Sequence, residues 1–202
     1  MSGEHRRRRG DLAPDPELWA ALAENDLLGR ILRDFYERVY ADPRLAHFFE
    51  GVTRQRAVEK QYSFLKQIFS GEKCYFGDRP RNAHHWMVIS DELFDHREAL
   101  MEQCLRRHGL ADHLVRRWRA TEEVFRKQIV KAAPRPRKLG GVELPLEGYD
   151  DVDVTVGMLC DACGSEVPPG ARVRYHVRTG RSVCAGCVAQ GASAPPGVEV
   201  PR

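Results

Sequence analysis

Apolar residues recur at intervals of three and four along the first two thirds of the chain, and this spacing limits the fold more than any other feature of the sequence. The stretch LLGRILRDFYERVY places Leu28, Ile31, Leu32, Phe35 and Val39 on one side of a helix, because a helix turns once in ~3.6 residues. Similar spacing recurs in RQRAVEKQYSFLKQIF, in DELFDHREALMEQCLRRHG and in the last run, which carries Leu114, Trp118, Val124, Phe125 and Ile129. Alternating strand patterns are absent before residue 140. We therefore predict an all-α fold for this part.

The composition of the sequence and the spacing of its apolar residues change near the end of the chain. The segment APRPRKLGGVELPLEG has the composition of a linker, and VDVTVG and VRYHV then alternate like strands, with a hairpin turn expected at Thr179-Gly180. We predict a basic arm at 1–16, a helical domain at 17–132, a linker at 133–150, a small β-rich module at 151–191 and a tail at 192–202.

Composition excludes some classes of protein. No apolar run approaches the ~20 residues of a membrane helix, and no apolar segment follows the basic start MSGEHRRRRG, so we expect neither a membrane partner nor a secretory signal. The net charge of +3 over 202 residues is too small to indicate nucleic-acid binding by the whole surface. These features favour a reducing, cytoplasmic location.

Four of the six cysteines form the pattern C-x2-C-x20-C-x2-C, with Cys160, Cys163, Cys184 and Cys187. In a reducing compartment, paired C-x2-C turns are typical of tetrahedral Zn²⁺ sites. Four thiolates fill the coordination sphere, which favours structural zinc over catalysis, and Gly164 suits the turn after the first pair. A redox dithiol and an iron–sulfur cluster remain as alternatives. The segment is similar to zinc-ribbon and treble-clef modules.

The helical part carries several motifs in order: FYERVYADPRLAHFFEG, KQYSFLKQI and SGEKCYFGDRPRNAHHWMVI. Together they resemble the truncated haemoglobins, two-over-two globins, and most closely those of group 1. The resemblance covers roughly residues 27–131. It implies a two-over-two helical sandwich with haem b as cofactor.

The resemblance also implies roles for particular residues. His84, five residues before Ile89, matches the proximal iron ligand, whereas His85 is expected to be a bystander at the rim of the pocket. Tyr36 and Gln61 match the distal tyrosine and glutamine that hydrogen-bond a ligand, and an unpartnered buried glutamine would be costly in any other role. The pocket is completed by the remaining matched residues: Phe35, Phe49, Ala57, Phe64, Leu65 and, near the haem propionates, Arg81.

The sequence departs from the family pattern at three places. Paired glycines are replaced by Gly29 alone before one helix and by Ser70-Gly71 after another. Arg97 lies on the inward face of its helix, where the family has an apolar residue over the haem; it could turn outward, reach a propionate or contact the ligand. The segment ELWAALAEN matches the family's first helix poorly.

These features lead to two main hypotheses. The first is a haem protein that binds O2 and NO, serving in oxygen storage or transport or as a NO dioxygenase. The latter would require an external reductase, because the sequence contains no flavin or nicotinamide motif. The second is a gas or redox sensor whose zinc module contacts nucleic acid or a protein, through the basic runs at 6–9 and 135–138 and the arginines around Tyr175. A third hypothesis is a globin-like scaffold that binds no haem.

Overall fold

The computed structural model describes residues 12–75, 77–139, 141–144, 146, 148–155, 157–178 and 180–191. The chain divides into two compact units. The first contains the described residues up to 83 together with 88–132, and the second contains residues 84–87 and the described residues from 133 onward. Residues 84–87, which the sequence pattern assigns to the helical domain, are thus grouped with the C-terminal part.

The first unit is built mainly from helices, with an isolated antiparallel β-bridge between Ile89 and Lys131. Its helices are α1 (Pro16–Ala23), α2 (Leu27–Ala41), α3 (Arg54–Ser70), α4 (Pro80–Ala83), α5 (Asp91–Arg107), α6 (Asp112–Glu123) and α7 (Arg126–Ile129). Short 3₁₀ turns at Glu24–Asp26 and Ala46–Phe49 flank α2. None of the helices among the described residues combines the length and apolar character needed to cross a membrane.

Capping residues account for the helix ends. Asp15 caps α1 by accepting a hydrogen bond from the Leu18 backbone N–H at 3.0 Å, with Pro16 at the first helical position. The Thr53 hydroxyl caps α3 in the same way, and Gly71 ends that helix with φ +78°. Glycine also follows the end of α5, where Gly109 has φ +82°. Although ELWAALAEN matches the family poorly, it forms α1.

The core of the first unit lies between α1, α2, α3, α5 and α6. Its largest fully buried side chains include Trp118, Phe35, Phe69 and Leu105. The predicted apolar face of α2 is buried as expected, from Leu28 to Val39. The last helical run is not continuous: α6 ends at Glu123, and Val124 is 48% exposed. Its expected inward position is wrong, because the break between α6 and α7 turns it out of the helical register.

The second unit is built from three small antiparallel sheets and one short helix. Its strands are β1 (Arg137–Leu139), β2 (Val142–Leu144), β3 (Tyr149–Asp153), β4 (Met158–Leu159), β5 (Glu166–Val167), β6 (Arg172–His176) and β7 (Ser182–Cys184), followed by α8 (Ala185–Ala189). β1 pairs with β2, β4 pairs with β5, and β6 lies between β3 and β7. In this sheet Val173 faces Val152 on one side and Cys184 on the other.

The strands begin earlier than the sequence pattern indicates. The range 133–150, expected as a linker, contains β1, β2 and the start of β3. His176 is half-buried and packs edge-on against Tyr149 at a centroid distance of 4.9 Å. At the expected hairpin turn, Gly180 has φ +71°, while Thr179 lies outside the described residues. The tail at 192–202 and most of the basic arm also lie outside them.

Candidate functional site

Tyr36 lies on the inward face of α2 and is 7% exposed. Its ring packs edge-on against Phe35 at 5.2 Å and Phe49 at 5.6 Å between centroids. Burial raises the pKa of Tyr36 well above its usual range, and the nearby positive charge of Arg97 only partly opposes this. The phenol is therefore neutral and able to donate, yet its hydroxyl forms no hydrogen bond with any described residue.

Gln61 lies on α3, which packs directly against α2. Its side chain is half-buried and has no hydrogen-bond partner among the described residues. One turn earlier, Ala57 is 6% exposed and contributes only a methyl group to the interior. Two polar donors without hydrogen-bond partners among the described residues thus lie on two packed helices.

The remaining expected pocket residues fall into two groups. Phe35 and Leu65 are fully buried, at 2% and 1% exposure. Phe49 and Phe64 are half-buried; Phe49 also contacts Tyr40, whereas Phe64 contacts Tyr75 and Phe125. Arg81, the second residue of the short α4, is exposed.

The two adjacent histidines differ in environment. His84 follows α4 and is half-buried, and its carbonyl accepts a hydrogen bond from the Met87 N–H at 3.1 Å. His85 is only 3% exposed. Its Nδ1 lies 3.3 Å from the Arg135 carbonyl oxygen, and its Nε2 lies 3.2 Å from that of Val177. The expectation that His85 is a bystander at a pocket rim is therefore wrong: it is an internal residue of the second unit.

Arg97 is the centre of a charged cluster that the sequence pattern did not predict. Its Nη1 donates to Oε1 of Glu98 and to Oε1 of Glu122, both at 2.5 Å. Glu98 also accepts from Arg119 at 3.2 Å. Burial raises the pKa of Glu98 to about 8, since it outweighs the opposing attraction of Arg97. Residues 25 positions apart form this cluster, so helical periodicity could not identify it.

The four cysteines of the two C-x2-C pairs come together in the second unit. Their sulfur atoms all lie within 4.8 Å of one another, and the Cys160–Cys187 and Cys163–Cys184 pairs are 4.0 Å apart. A tetrahedral metal with bonds to sulfur of about 2.3 Å requires sulfur separations of about 3.8 Å. The expected turn is also present, because Gly164 has φ +72°.

Backbone donors surround these sulfur atoms. The N–H groups of Cys184 and Ala162 point at the Cys160 sulfur, at 3.3 and 3.4 Å. Burial opposes ionisation of Cys160, but these donors outweigh it and lower its pKa. Donors at Ser165 lower the pKa of Cys163 to about 6, whereas hydrogen bonding to Cys163 raises that of Cys187 to about 12.

Comparison with known proteins assigns the helical part of the chain. The group 1 truncated haemoglobin of Tetrahymena thermophila is 27% identical over 81 residues, or 40% of this chain and 67% of that protein. The group 1 truncated haemoglobin GlbN of Synechocystis sp. is 38% identical over 72 residues, or 35% and 58%. The structure of the truncated haemoglobin of Tetrahymena pyriformis, in its Fe(III) form, superposes with a TM-score of 0.52 at 24% identity, covering 56% of this chain and 97% of that chain. The family model described as bacterial-like globin matches residues 18–130. Over these residues the chain belongs to the bacterial-like globin family and has the fold of a truncated globin.

Proposed function

We propose that the chain is a haem protein that binds O2, with His84 as proximal iron ligand and with Tyr36 and Gln61 as donors to the ligand. Membership of the globin family supports the cofactor. The observation that carries the proposal is Tyr36, a buried residue whose neutral hydroxyl has no hydrogen-bond partner among the described residues. The hydroxyl keeps some accessible surface, because it is not among the fully enclosed polar atoms without partners, so it can donate a hydrogen bond to a molecule bound beside it.

The residues fit the group that the family implies. Haem held by one imidazole supplies an iron with an open position for a gas ligand. The chain would hold this group through His84, while Tyr36 and Gln61 would donate hydrogen bonds to the ligand beside the apolar side chains of Phe35 and Leu65. These apolar side chains exclude water, which strengthens a hydrogen bond donated to a partly charged ligand.

Replacing Tyr36 by Phe tests this proposal. Loss of one donor to a partly charged acceptor costs about 1.5–3 kcal/mol, so O2 should dissociate roughly 10- to 100-fold faster in stopped-flow measurements. Tyr40→Phe is the matched control, because Tyr40 belongs to the same aromatic cluster but its hydroxyl donates to the Val52 carbonyl at 2.6 Å. Equal effects of the two substitutions would contradict a specific role for Tyr36.

The proximal ligand has its own test. His84→Ala should abolish or greatly weaken the Soret band of the haem-loaded protein, since imidazole is the strong ligand that holds the iron. Retention of the wild-type band in His84→Ala would refute this assignment, and absence of any Soret band in the wild type would favour the haemless scaffold.

NO dioxygenation is the enzymatic form of this proposal. The oxygenated ferrous protein should consume NO and yield nitrate, with turnover only when an external reductase and its electron donor are supplied. NO consumption no faster than that of free haem would leave oxygen storage or transport as the function.

We further propose that Cys160, Cys163, Cys184 and Cys187 hold one structural Zn²⁺. The sulfur separations near 4 Å and the surrounding N–H donors support this. Elemental analysis should give one zinc per chain, and Cys187→Ser should lose it while Cys74→Ser, outside the cluster, retains it. Visible absorption with bound iron would instead indicate an iron site, and reversible disulfide formation without metal would indicate a redox dithiol.

The sensor alternative receives no comparable support. Arg174 forms an ion pair with Asp151 at 3.1 Å, and the guanidinium of Arg178 lies 5.0 Å from the Trp86 ring. These arginines therefore have partners within the second unit and are not simply displayed to an anionic macromolecule. The sensor alternative can be tested by titrating the protein with random duplex DNA at several salt concentrations, where binding that weakens with salt would support it.

A further inference from the structure

Arg97 occupies an inward position of α5. Its helical neighbours on the same face, Phe94 and Met101, are buried at 4% and 0% exposure, while the Arg97 side chain retains 23%. An arginine in such a position is costly unless its charge is compensated. Here the compensation comes from Glu98 and Glu122.

The guanidinium lies beside the proposed distal residues. Its central carbon is 4.8 Å from the centroid of the Phe35 ring, and Phe35 packs edge-on against Tyr36. The charge is close enough to oppose the effect of burial on the Tyr36 phenol. Arg97 and Tyr36 thus border the same region of the first unit.

Only part of the guanidinium is engaged. Both glutamates bind Nη1, whereas Nε and Nη2 make no hydrogen bond to any described residue. Neither atom is among the fully enclosed polar atoms without partners, so both retain accessible surface. Three N–H bonds of a fixed cation therefore remain available to an acceptor.

The charges around Arg97 leave room for an added anion. The groups that face it are the carboxylates of Glu98 and Glu122, and Glu98 also pairs with Arg119. Two cations balance two anions when all four groups are ionised, and protonation of Glu98 leaves one positive charge in excess. The carboxylates contact one nitrogen of Arg97, so the other edge of the guanidinium presents uncompensated donors.

We propose that Arg97 makes the ligand pocket selective for small inorganic monoanions, which would bind the ferric haem iron while accepting hydrogen bonds from the guanidinium. An apolar side chain at this position would offer neither charge nor donor. This inference rests on the proposed haem function, and it assigns to Arg97 a preference for anionic over neutral ligands.

The test is ligand affinity in the ferric, haem-loaded full chain, measured from Soret shifts with azide and nitrite as anions and imidazole as neutral ligand. Arg97→Leu should weaken azide and nitrite binding about 10- to 100-fold and change imidazole binding less than about threefold. Arg97→Lys should fall between, because it keeps the charge and loses the planar fork. Arg119→Leu is the matched control, since it removes a cation from Glu98 without touching the Phe35 face, and it should leave azide affinity near wild type.

A second measurement reports the charge near the ligand without depending on ligand affinity. In the ferrous CO complex, loss of a nearby positive charge should raise the CO stretching frequency in Arg97→Leu and not in Arg119→Leu. If Arg97→Leu does not fold, Arg97→Leu combined with Glu122→Gln removes the carboxylate charge left behind and permits the same measurements.

The outcomes separate the two proposals. A wild-type protein without a Soret band overturns the haem function and this inference with it. A protein that binds O2 reversibly, but whose azide affinity is unchanged by Arg97→Leu or falls in parallel with imidazole, overturns the inference alone.

Discussion

His85 differs from its neighbour His84 in what its side chain contacts. Both ring nitrogens face backbone carbonyl oxygens, those of Arg135 and Val177, and the His85 carbonyl accepts from the Arg135 N–H at 2.8 Å. Trp86 lies under the guanidinium of Arg178. The segment 84–87 is thereby tied to the C-terminal part of the chain by polar contacts that His84→Ala would not disturb.

Replacing His85 by Ala should lower the stability of the second unit by about 1–3 kcal/mol, since buried carbonyl groups lose their partner. The Soret band should persist, in contrast to His84→Ala. Chemical denaturation followed through metal release gives the stability, and absorption spectra report the haem. Loss of the Soret band in His85→Ala with an intact second unit would mean that the two roles are exchanged.

At the scale of elements, the residues before α2 show which side chains replace the paired glycines of the family. Asn25 and Asp26 adopt φ values of +49° and +53°, the left-handed region that glycine would enter freely. Asparagine and aspartate tolerate this region better than other residues. One turn later, a Cβ at Gly29 would lie within 2.7 Å of the Asp26 carboxylate, so that exposed side chain would have to move to accept a larger residue.

Substitution at position 25 should therefore reverse the usual ranking of helix formers. Asn25→Ala should destabilise the first unit by about 1 kcal/mol, whereas Asn25→Gly should not, because only alanine is strained at positive φ. At exposed Glu37, inside α2, glycine should instead be the worse residue by about 1 kcal/mol. Denaturation followed by helical circular dichroism measures both pairs, and the same order at both positions would contradict the assigned backbone.

At the scale of the whole molecule, the two units are stabilised differently. The first buries large side chains from five helices around Trp118 and Phe35. The second has a small apolar cluster around Val154, Val167 and Val173. Small domains of this kind usually depend on a metal or another cross-link. The first unit also encloses the charges of Glu98 and Arg97, which makes its stability depend on pH.

The stability of the first unit should fall as pH rises from 5 to 8. Burial raises the pKa of Glu98 from an ordinary 4.5 to about 8, so the folded state binds a proton that the unfolded state releases in this range. The contribution is complete below the unfolded value and is lost as pH rises through the folded one. Urea denaturation across this range should show a flatter dependence in Glu98→Gln, which mimics the protonated acid. An identical slope in both proteins would show that Glu98 is not the titrating group.

Several features could be read from the sequence because they depend on neighbouring residues. The buried face of α2 follows from helical spacing, the end of α5 from Gly109, and the assembly of the cysteines from the paired C-x2-C turns. The polar residue Gln61 within an apolar face was also visible. Its lack of a partner, like that of the Tyr36 hydroxyl, needed the packed helices to be known.

The sequence alone determined the helical family, the candidate pocket residues and the four-cysteine cluster, since each rests on local spacing or on motifs in order. The tertiary structure decided the rest. His85 contacts the backbone carbonyl of a residue that lies 92 positions away in the sequence. Arg97 is bound by Glu122, which lies 25 positions away. Val124 is exposed because the chain breaks between two helices. These outcomes depend on contacts between distant residues, and hydrophobic periodicity carries no information about which distant charge or carbonyl a buried polar group will meet.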